Sequence, residues 1–203
     1  MVAFLVVCWT DAVAADCVSP IQVHVSFTPG TVTVDAGKSS RQLEQIGIRS
    51  GAIHQLGVTR ATPQHTVRIQ IDERERCVRP VVTLQLTVRP LQVELARELE
   101  QSVCLRKYVL DHELQHVAIY NAAMTRAAVQ VEREMRAQII VPLERDGARA
   151  ERLQAEVYER WLPRLEALVA QSAREHEALD VDQEARAHRA CSSEIALVMK
   201  AVR

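Results

Sequence analysis

The chain carries the segment His112-Glu113-Leu114-Gln115-His116 inside a long stretch rich in Glu, Arg, Ala and Leu, a composition typical of helix. In an α-helix, residues four apart lie about 40° apart around the axis and about 6 Å apart along it. Both imidazoles can therefore reach one metal ion, and the carboxylate lies beside them, within reach of a water molecule on that ion. The spacing predicts a catalytic zinc site in which His112 and His116 are ligands and Glu113 is the general base.

The residues around this segment favour a buried helix that carries a metal. Val109-Leu110-Asp111 precedes it and Val117-Ala118-Ile119 follows it. The interior positions Leu114 and Gln115 are uncharged, so neither competes for the ion. Residues 109–118 resemble the extended active-site signature of the zincin metallopeptidases. Among the zincins they most resemble small secreted bacterial zinc-protease-like proteins, and the wider likeness covers residues 17–125.

The resemblance implies an enzyme with Zn²⁺ as cofactor, which hydrolyses peptide bonds in a peptide or protein substrate through a metal-activated water. It also implies a β segment that contains cysteine and precedes one active-site helix. In such proteins a sheet edge beside that helix holds an extended peptide by strand addition. The strand that we expect at residues 81–88 is our candidate for this edge.

A catalytic zinc normally has three protein ligands and a water, so the prediction needs one more side chain. His176, Asp180, Glu184 and His188 recur every four residues and would share one face of a helix. If the chain folds back near residues 142–147, the first of them lie opposite the two histidines. We expect His176 to be the third ligand, with Asp180 and then Glu184 as alternatives. The same stripe is also typical of an exposed face on a charged helix.

Composition and charge limit the possible functions. The net charge is −1 with both signs interspersed, so the sequence favours neither a nucleic-acid interface nor an anionic membrane surface. The apolar run at residues 2–9 leads into small residues, and we expect residues 1–15 to be a truncated secretory signal peptide, with an N-terminal buried strand as the alternative. No other segment approaches the ~20 apolar residues of a membrane span. The mature protein is therefore expected to be periplasmic or secreted.

Four cysteines remain after the expected signal peptide: Cys17, Cys77, Cys104 and Cys191. An even number of cysteines in an oxidising compartment predicts two disulfides, for which three pairings are possible. We favour Cys77–Cys104, which would join the last strands to the active-site helix, together with Cys17–Cys191.

The first half of the chain, residues 16–90, is expected to be β-rich. Alternating apolar and polar residues predict strands at 21–27 and 31–35, and the break at Thr28-Pro29-Gly30 predicts a hairpin between them. The clearest further strands are at 66–71 and at 81–88, the latter closed by Pro90. A short helix is predicted at 41–46 and a loop at 48–63.

The second half, residues 91–203, is expected to be helical. One helix is predicted from about 92 to 140, a second after Gly147 with a kink at Pro163, and a third from about 182. Together the two halves predict one zincin-like α+β domain at residues 16–203. A small, mostly antiparallel sheet would pack on the long active-site helix, and a C-terminal helical hairpin would complete the core.

Two functions from other classes also fit the sequence. One is a catalytically inactive scaffold that binds metal, and the other is a purely helical periplasmic interaction protein that binds none. Metal analysis separates the second of these from both the scaffold and the enzyme.

Overall fold

The computed structural model describes residues 17–18, 20–46, 55–74, 77–139 and 148–202. The signal peptide predicted at residues 1–15 lies outside the described residues. None of the helices in these ranges combines the length and the apolar composition of a membrane span. The strands are, in chain order, β1 (Cys17–Val18), β2 (Gln22–Thr28), β3 (Val32–Lys38), β4 (Gly57–Arg74) and β5 (Cys77–Ala96). The helices are α1 (Ser40–Ile46), α2 (Val103–Gln138), α3 (Ala148–Glu156), α4 (Leu162–Ala170), α5 (Ala173–Asp180) and α6 (Gln183–Val202).

The fold is α+β, with one sheet built on the long strand β5. On one side β4 pairs with β5 in the antiparallel direction over almost its whole length. On the other side β1, β2 and β3 lie end to end along β5, all parallel to it. The prediction of a mostly antiparallel sheet is therefore wrong, because three of the four strand pairings within the described ranges are parallel.

The predicted hairpin between β2 and β3 is also wrong, because the Thr28-Pro29-Gly30 segment does not reverse the chain. Strand β2 pairs with residues 81–87 of β5, and β3 continues in the same direction along residues 91–96. Between them Gly30 passes over β5 so closely that a Cβ would lie 2.0 Å from the carbonyl oxygen of Val88. The step falls beside the cis Arg89-Pro90 peptide, where proline offers no N–H for pairing.

Two of the predicted element boundaries are wrong. Strand β5 runs through Pro90 to Ala96, and after a 3-10 turn at Arg97–Gln101 the helix α2 begins at Val103 instead of at about 92. This end of β5 lacks the alternation of a half-exposed strand, because Leu91, Val93, Glu94, Leu95 and Ala96 are all buried. Its composition also resembles that of the helix that follows. The loop predicted at 48–63 likewise contains the first part of β4.

The C-terminal region is more segmented than a helical hairpin. Helices α4, α5 and α6 each contact α2. The irregularity predicted at Pro163 is a π-helical turn at Val157–Trp161, and Pro163 itself lies in the first turn of α4, where its missing N–H costs little.

Helix α2 crosses the sheet and joins two clusters of buried apolar side chains. The cluster at its C-terminal half combines α2 with β2, β5 and α4, and includes Val23, Leu84, Met124, Val131, Met135 and Trp161. The cluster at its N-terminal half combines α2 with β5 and α6, and includes Val93, Leu95, Leu105, Val109, Ile195 and Val198. Residues 109–118 lie in the second region, so the predicted site is set in a well-packed part of the molecule.

A disulfide ties α6 to the start of α2. Cys104 and Cys191 are bonded, with their Cα atoms 5.8 Å apart. The predicted pairings Cys77–Cys104 and Cys17–Cys191 are therefore wrong, because one partner of each is already used. The backbone register of β1 and β5 instead places the Cα of Cys17 opposite that of Cys77.

The carboxylate of Glu194, on α6, strengthens the same junction. Its Oε2 accepts hydrogen bonds from the backbone N–H of Cys104 (2.9 Å) and Leu105 (3.3 Å) and from the hydroxyl of Ser102. These N–H groups belong to the first turn of α2 and have no partner within the helix, so Glu194 caps the helix from a distant part of the chain. Helix α6, and with it the preceding α5, is held against α2 at this end.

Candidate metal centre

Helix α2 places His112 and His116 one turn apart and buries the first of them. The exposed fraction is 4% for His112 and 5% for Glu113, both unusually low for polar side chains. A buried polar group is costly unless it has a partner, so the contacts of these side chains indicate what the site is built to hold.

The partner is Asp180, the last residue of α5. Its Oδ1 lies 3.1 Å from Nε2 of His112 and 3.0 Å from Nε2 of His116. The two Nε2 atoms are themselves 3.0 Å apart. Three potential ligand atoms thus form a nearly equilateral triangle, and these residues constitute a group that could hold a metal ion.

The size and chemistry of this triangle fit a zinc ion. Tetrahedral ligands at about 2.0–2.1 Å from zinc are separated from one another by about 3.3 Å, close to the observed spacings. Without a cation, each Nε2 carries at most one hydrogen, so at most two of the three close contacts can be linear hydrogen bonds. A cation would instead let each of the three atoms offer it a lone pair. Two imidazoles and a carboxylate are also a ligand set of catalytic zinc.

The geometry of α5 explains why Asp180 belongs to this group. Asp180 ends the helix, and the next turn, with Asp182 at φ 59°, leads directly into α6. Arg186 of α6 donates a hydrogen bond to the carbonyl oxygen of Leu179 at 2.6 Å. This contact fixes the end of α5 that carries the carboxylate.

His176, our first choice for the third ligand, lies next to the triangle instead of within it. Its Nδ1 is 2.8 Å from Nδ1 of His116, on the far side of that ring from Asp180. The ring centroids are 5.1 Å apart and the ring planes differ by 22°, so the two rings meet edge to edge. When Nε2 of His116 faces an ion, its proton lies on Nδ1 and is donated to His176, which fixes the orientation of the ring. Glu184, the last alternative, lies 3.9 Å from Nε2 of His188 and is exposed.

Burial favours the neutral forms of His112 and His176 by lowering the pKa of each. Burial, and then the neighbouring His116, hold the pKa of His112 below its usual value against the opposing effect of Asp180. Burial and then His116 likewise lower the pKa of His176. A neutral imidazole is the form that ligates a metal or accepts a hydrogen bond, so these directions match the roles that the geometry gives them.

Glu113 faces β4. Its Oε2 accepts a hydrogen bond of 2.8 Å from the hydroxyl of Thr59, and β4 comes so close at Gly57 that a Cβ there would lie 2.6 Å from Oε1. Burial raises the pKa of Glu113 to about 7, against the lowering effect of the Thr59 hydrogen bonds. A carboxylate with this pKa can accept and return a proton near neutral pH.

The strand predicted as the peptide-binding edge does not lie at an edge. Residues 81–88 belong to β5, which is paired on both sides, so that prediction is wrong. The outer side of β2 is covered by α2, because Val25 N–H donates to Glu132 (2.8 Å) and the carbonyl oxygen of Val23 accepts from Arg136 (2.8 Å). Strand β4 is the strand nearest the candidate site.

Thr59 and Gly57 are the site residues that the sequence did not reveal. Both fall in the predicted loop at 48–63, and a glycine followed by a short mixed segment carries no signal that would link it to a helix more than fifty residues later. Asp180 was recognised only as the second choice for the third ligand.

Comparisons with protein-family models, with curated proteins and with solved structures found no match to this chain.

Proposed function

We propose that this chain is a zinc-dependent peptidase in which His112, His116 and Asp180 hold the metal and Glu113 is the general base. The observation that carries the proposal is the convergence of three ligand atoms, each within 3.1 Å of the others, from two helices far apart in sequence. Zinc bound there would polarise a substrate carbonyl and lower the pKa of a bound water from ~16 toward ~7.

The protein's own residues would supply the proton transfers. Glu113, with its pKa of about 7, takes a proton from the attacking water and delivers it to the leaving amine. Asp180 balances part of the positive charge, and His176 holds His116 in the tautomer that presents Nε2.

Two further features support a peptide substrate and an extracytoplasmic location. Residues 109–118 resemble the zincin signature, and β4, whose Gly57 and Thr59 contact Glu113, replaces 81–88 as the candidate strand for pairing with an extended peptide. The Cys104–Cys191 disulfide suits an oxidising compartment, so we place the protein in the periplasm or outside the cell.

The test compares wild type with His112→Ala and Glu113→Gln, using an unstructured protein as substrate. We expect wild type to bind zinc and cleave, His112→Ala to lose zinc, and Glu113→Gln to keep zinc and lose turnover. His24→Ala, at an exposed histidine of β2, is the matched control and should behave as wild type.

The rival functions give different results in the same experiment. Wild type that binds zinc without cleaving any peptide bond would favour the inactive scaffold. Wild type with no more zinc than His112→Ala would favour an interaction protein that binds no metal and would contradict the metal site. The sheet already shows that such a protein is not purely helical.

A further inference from the structure

Thr59 makes the closest polar contact to the proposed general base. Its hydroxyl oxygen lies 2.8 Å from Oε2 of Glu113 and 3.1 Å from the backbone carbonyl oxygen of the same residue. One short side chain on β4 therefore contacts both the carboxylate of Glu113 and the helix backbone that bears it.

The register of β4 shows why this contact forms. Ala96 N–H donates to the carbonyl oxygen of Leu56 at 2.8 Å, so residues 56, 58 and 60 form the hydrogen-bonded pairs with β5. Thr59 stands opposite Val93 in a pair without these bonds, so its backbone N–H points away from β5. Thr59 and Gly57 lie two residues apart and therefore share one face of β4, the face that contacts Glu113.

Gly57 supplies the space for this arrangement. A Cβ at this position would lie 2.6 Å from Oε1 of Glu113 and 2.7 Å from Cγ1 of Val109. The glycine lets β4 approach α2 closely enough for the Thr59 hydroxyl to reach the carboxylate. The buried side chain of Glu113 is thus enclosed by two residues of one strand, with little room to rotate.

We infer that Thr59 is a positioning residue for Glu113: its hydroxyl holds the carboxylate in the orientation needed for proton transfer at the metal centre. This inference rests on the proposed function. It makes β4 part of the active site, although β4 contributes no ligand atom to the triangle. A general base must lie within hydrogen-bond reach of its proton, and a carboxylate free to rotate would satisfy that condition only part of the time.

The alternative is a purely structural role, in which Thr59 only holds β4 against α2. The positioning role and the structural role affect different measurements. Loss of a structural tie would lower the melting temperature and the zinc content. Loss of positioning would lower kcat while zinc content and melting temperature stay near those of wild type, because the Thr59 hydroxyl contacts Glu113 and none of the three proposed metal ligands.

The experiment uses zinc-loaded full-length protein and the variants Thr59→Val, Thr59→Ser, Thr66→Val and Glu113→Gln. Valine has the shape of threonine without the hydroxyl, serine keeps the hydroxyl, and Thr66 is an exposed threonine elsewhere on β4. We expect kcat of Thr59→Val to fall roughly tenfold to a hundredfold, as for loss of a hydrogen bond to a charged group. Thr59→Ser should recover most of this loss, and Thr66→Val should match wild type.

Each other outcome overturns the inference in a recognisable way. Wild-type kcat in Thr59→Val, or equal defects in the valine and serine variants, would show that the hydroxyl does not position the base. A defect accompanied by loss of zinc or of thermal stability would assign Thr59 a structural role. If wild type and Glu113→Gln are equally inactive, the proposed function itself fails, and the inference fails with it.

Discussion

The buried carboxylate of Glu113 should make the stability of the metal-free protein depend on pH. Its pKa is raised by burial to about 7, whereas the ordinary value is 4.5. The folded protein therefore holds this proton more tightly than the unfolded chain does. The resulting stabilisation is complete below about pH 4.5 and is lost as the pH rises through about 7. The difference between the two pKa values corresponds to about 3 kcal/mol.

Glu113→Gln removes this ionisation while keeping an acceptor for the Thr59 hydroxyl. The free energy of unfolding should be measured by urea denaturation of chelator-treated protein at pH 5 and at pH 8. Between these values the variant should gain about 2–3 kcal/mol relative to wild type, because only wild type must bury a charged carboxylate at pH 8. His112 and His176 titrate in both proteins, so their effects cancel in the comparison.

Glu177→Gln serves as the control for this measurement. Glu177 is an exposed glutamate of α5, so its variant should follow wild type at both pH values. If the Glu113→Gln variant and wild type change in parallel between pH 5 and pH 8, the carboxylate is not held in a desolvated site and the reasoning is refuted.

Three further changes test other parts of the structure. His176→Leu should lower zinc affinity about tenfold to a hundredfold, as measured by competition titration. His176→Asn should keep most of the affinity, because its amide oxygen can stand in for Nδ1. If His176→Leu binds zinc as tightly as wild type, His176 does not orient His116. Replacing both Cys104 and Cys191 by serine removes a cross-link that spans 87 residues. The free energy of unfolding should fall by up to about 4 kcal/mol, as measured by denaturation under non-reducing conditions. An unchanged denaturation midpoint would contradict a stabilising role of this disulfide. Gly57→Ala should lower stability by about 1–3 kcal/mol because the methyl group has no room, and a melting temperature equal to that of wild type would show that β4 can move away.

The part of the site that sequence predicts is the part fixed by local geometry. His112, Glu113 and His116 occupy one turn of helix, and helical spacing alone sets their relative directions. Choosing between His176 and Asp180 is different, because both lie on the same face of α5, one turn apart. Which of them supplies the third ligand atom depends on the position of α5 along α2. The tertiary contacts of α6 set that position.

The sheet illustrates the same limit. Alternation located β2, β3 and the central part of β5, since period two is a local property. The direction in which strands pair is not local: it depends on Gly30 passing close over Val88 instead of turning the chain back. The predicted disulfide partners are wrong for a similar reason, because Cys104 and Cys191 come together only when α6 packs against the start of α2.

Zinc K-edge X-ray absorption of protein loaded with one equivalent of zinc most directly tests whether His112, His116 and Asp180 form a metal centre. We predict a four-coordinate ion with two imidazole nitrogens and two oxygens at about 2.0–2.1 Å, and a loss of the bound metal in Asp180→Ala. A spectrum with three imidazoles and no effect of Asp180→Ala would replace Asp180 by His176 as the ligand. Failure of wild type to retain zinc at all would contradict the metal centre itself.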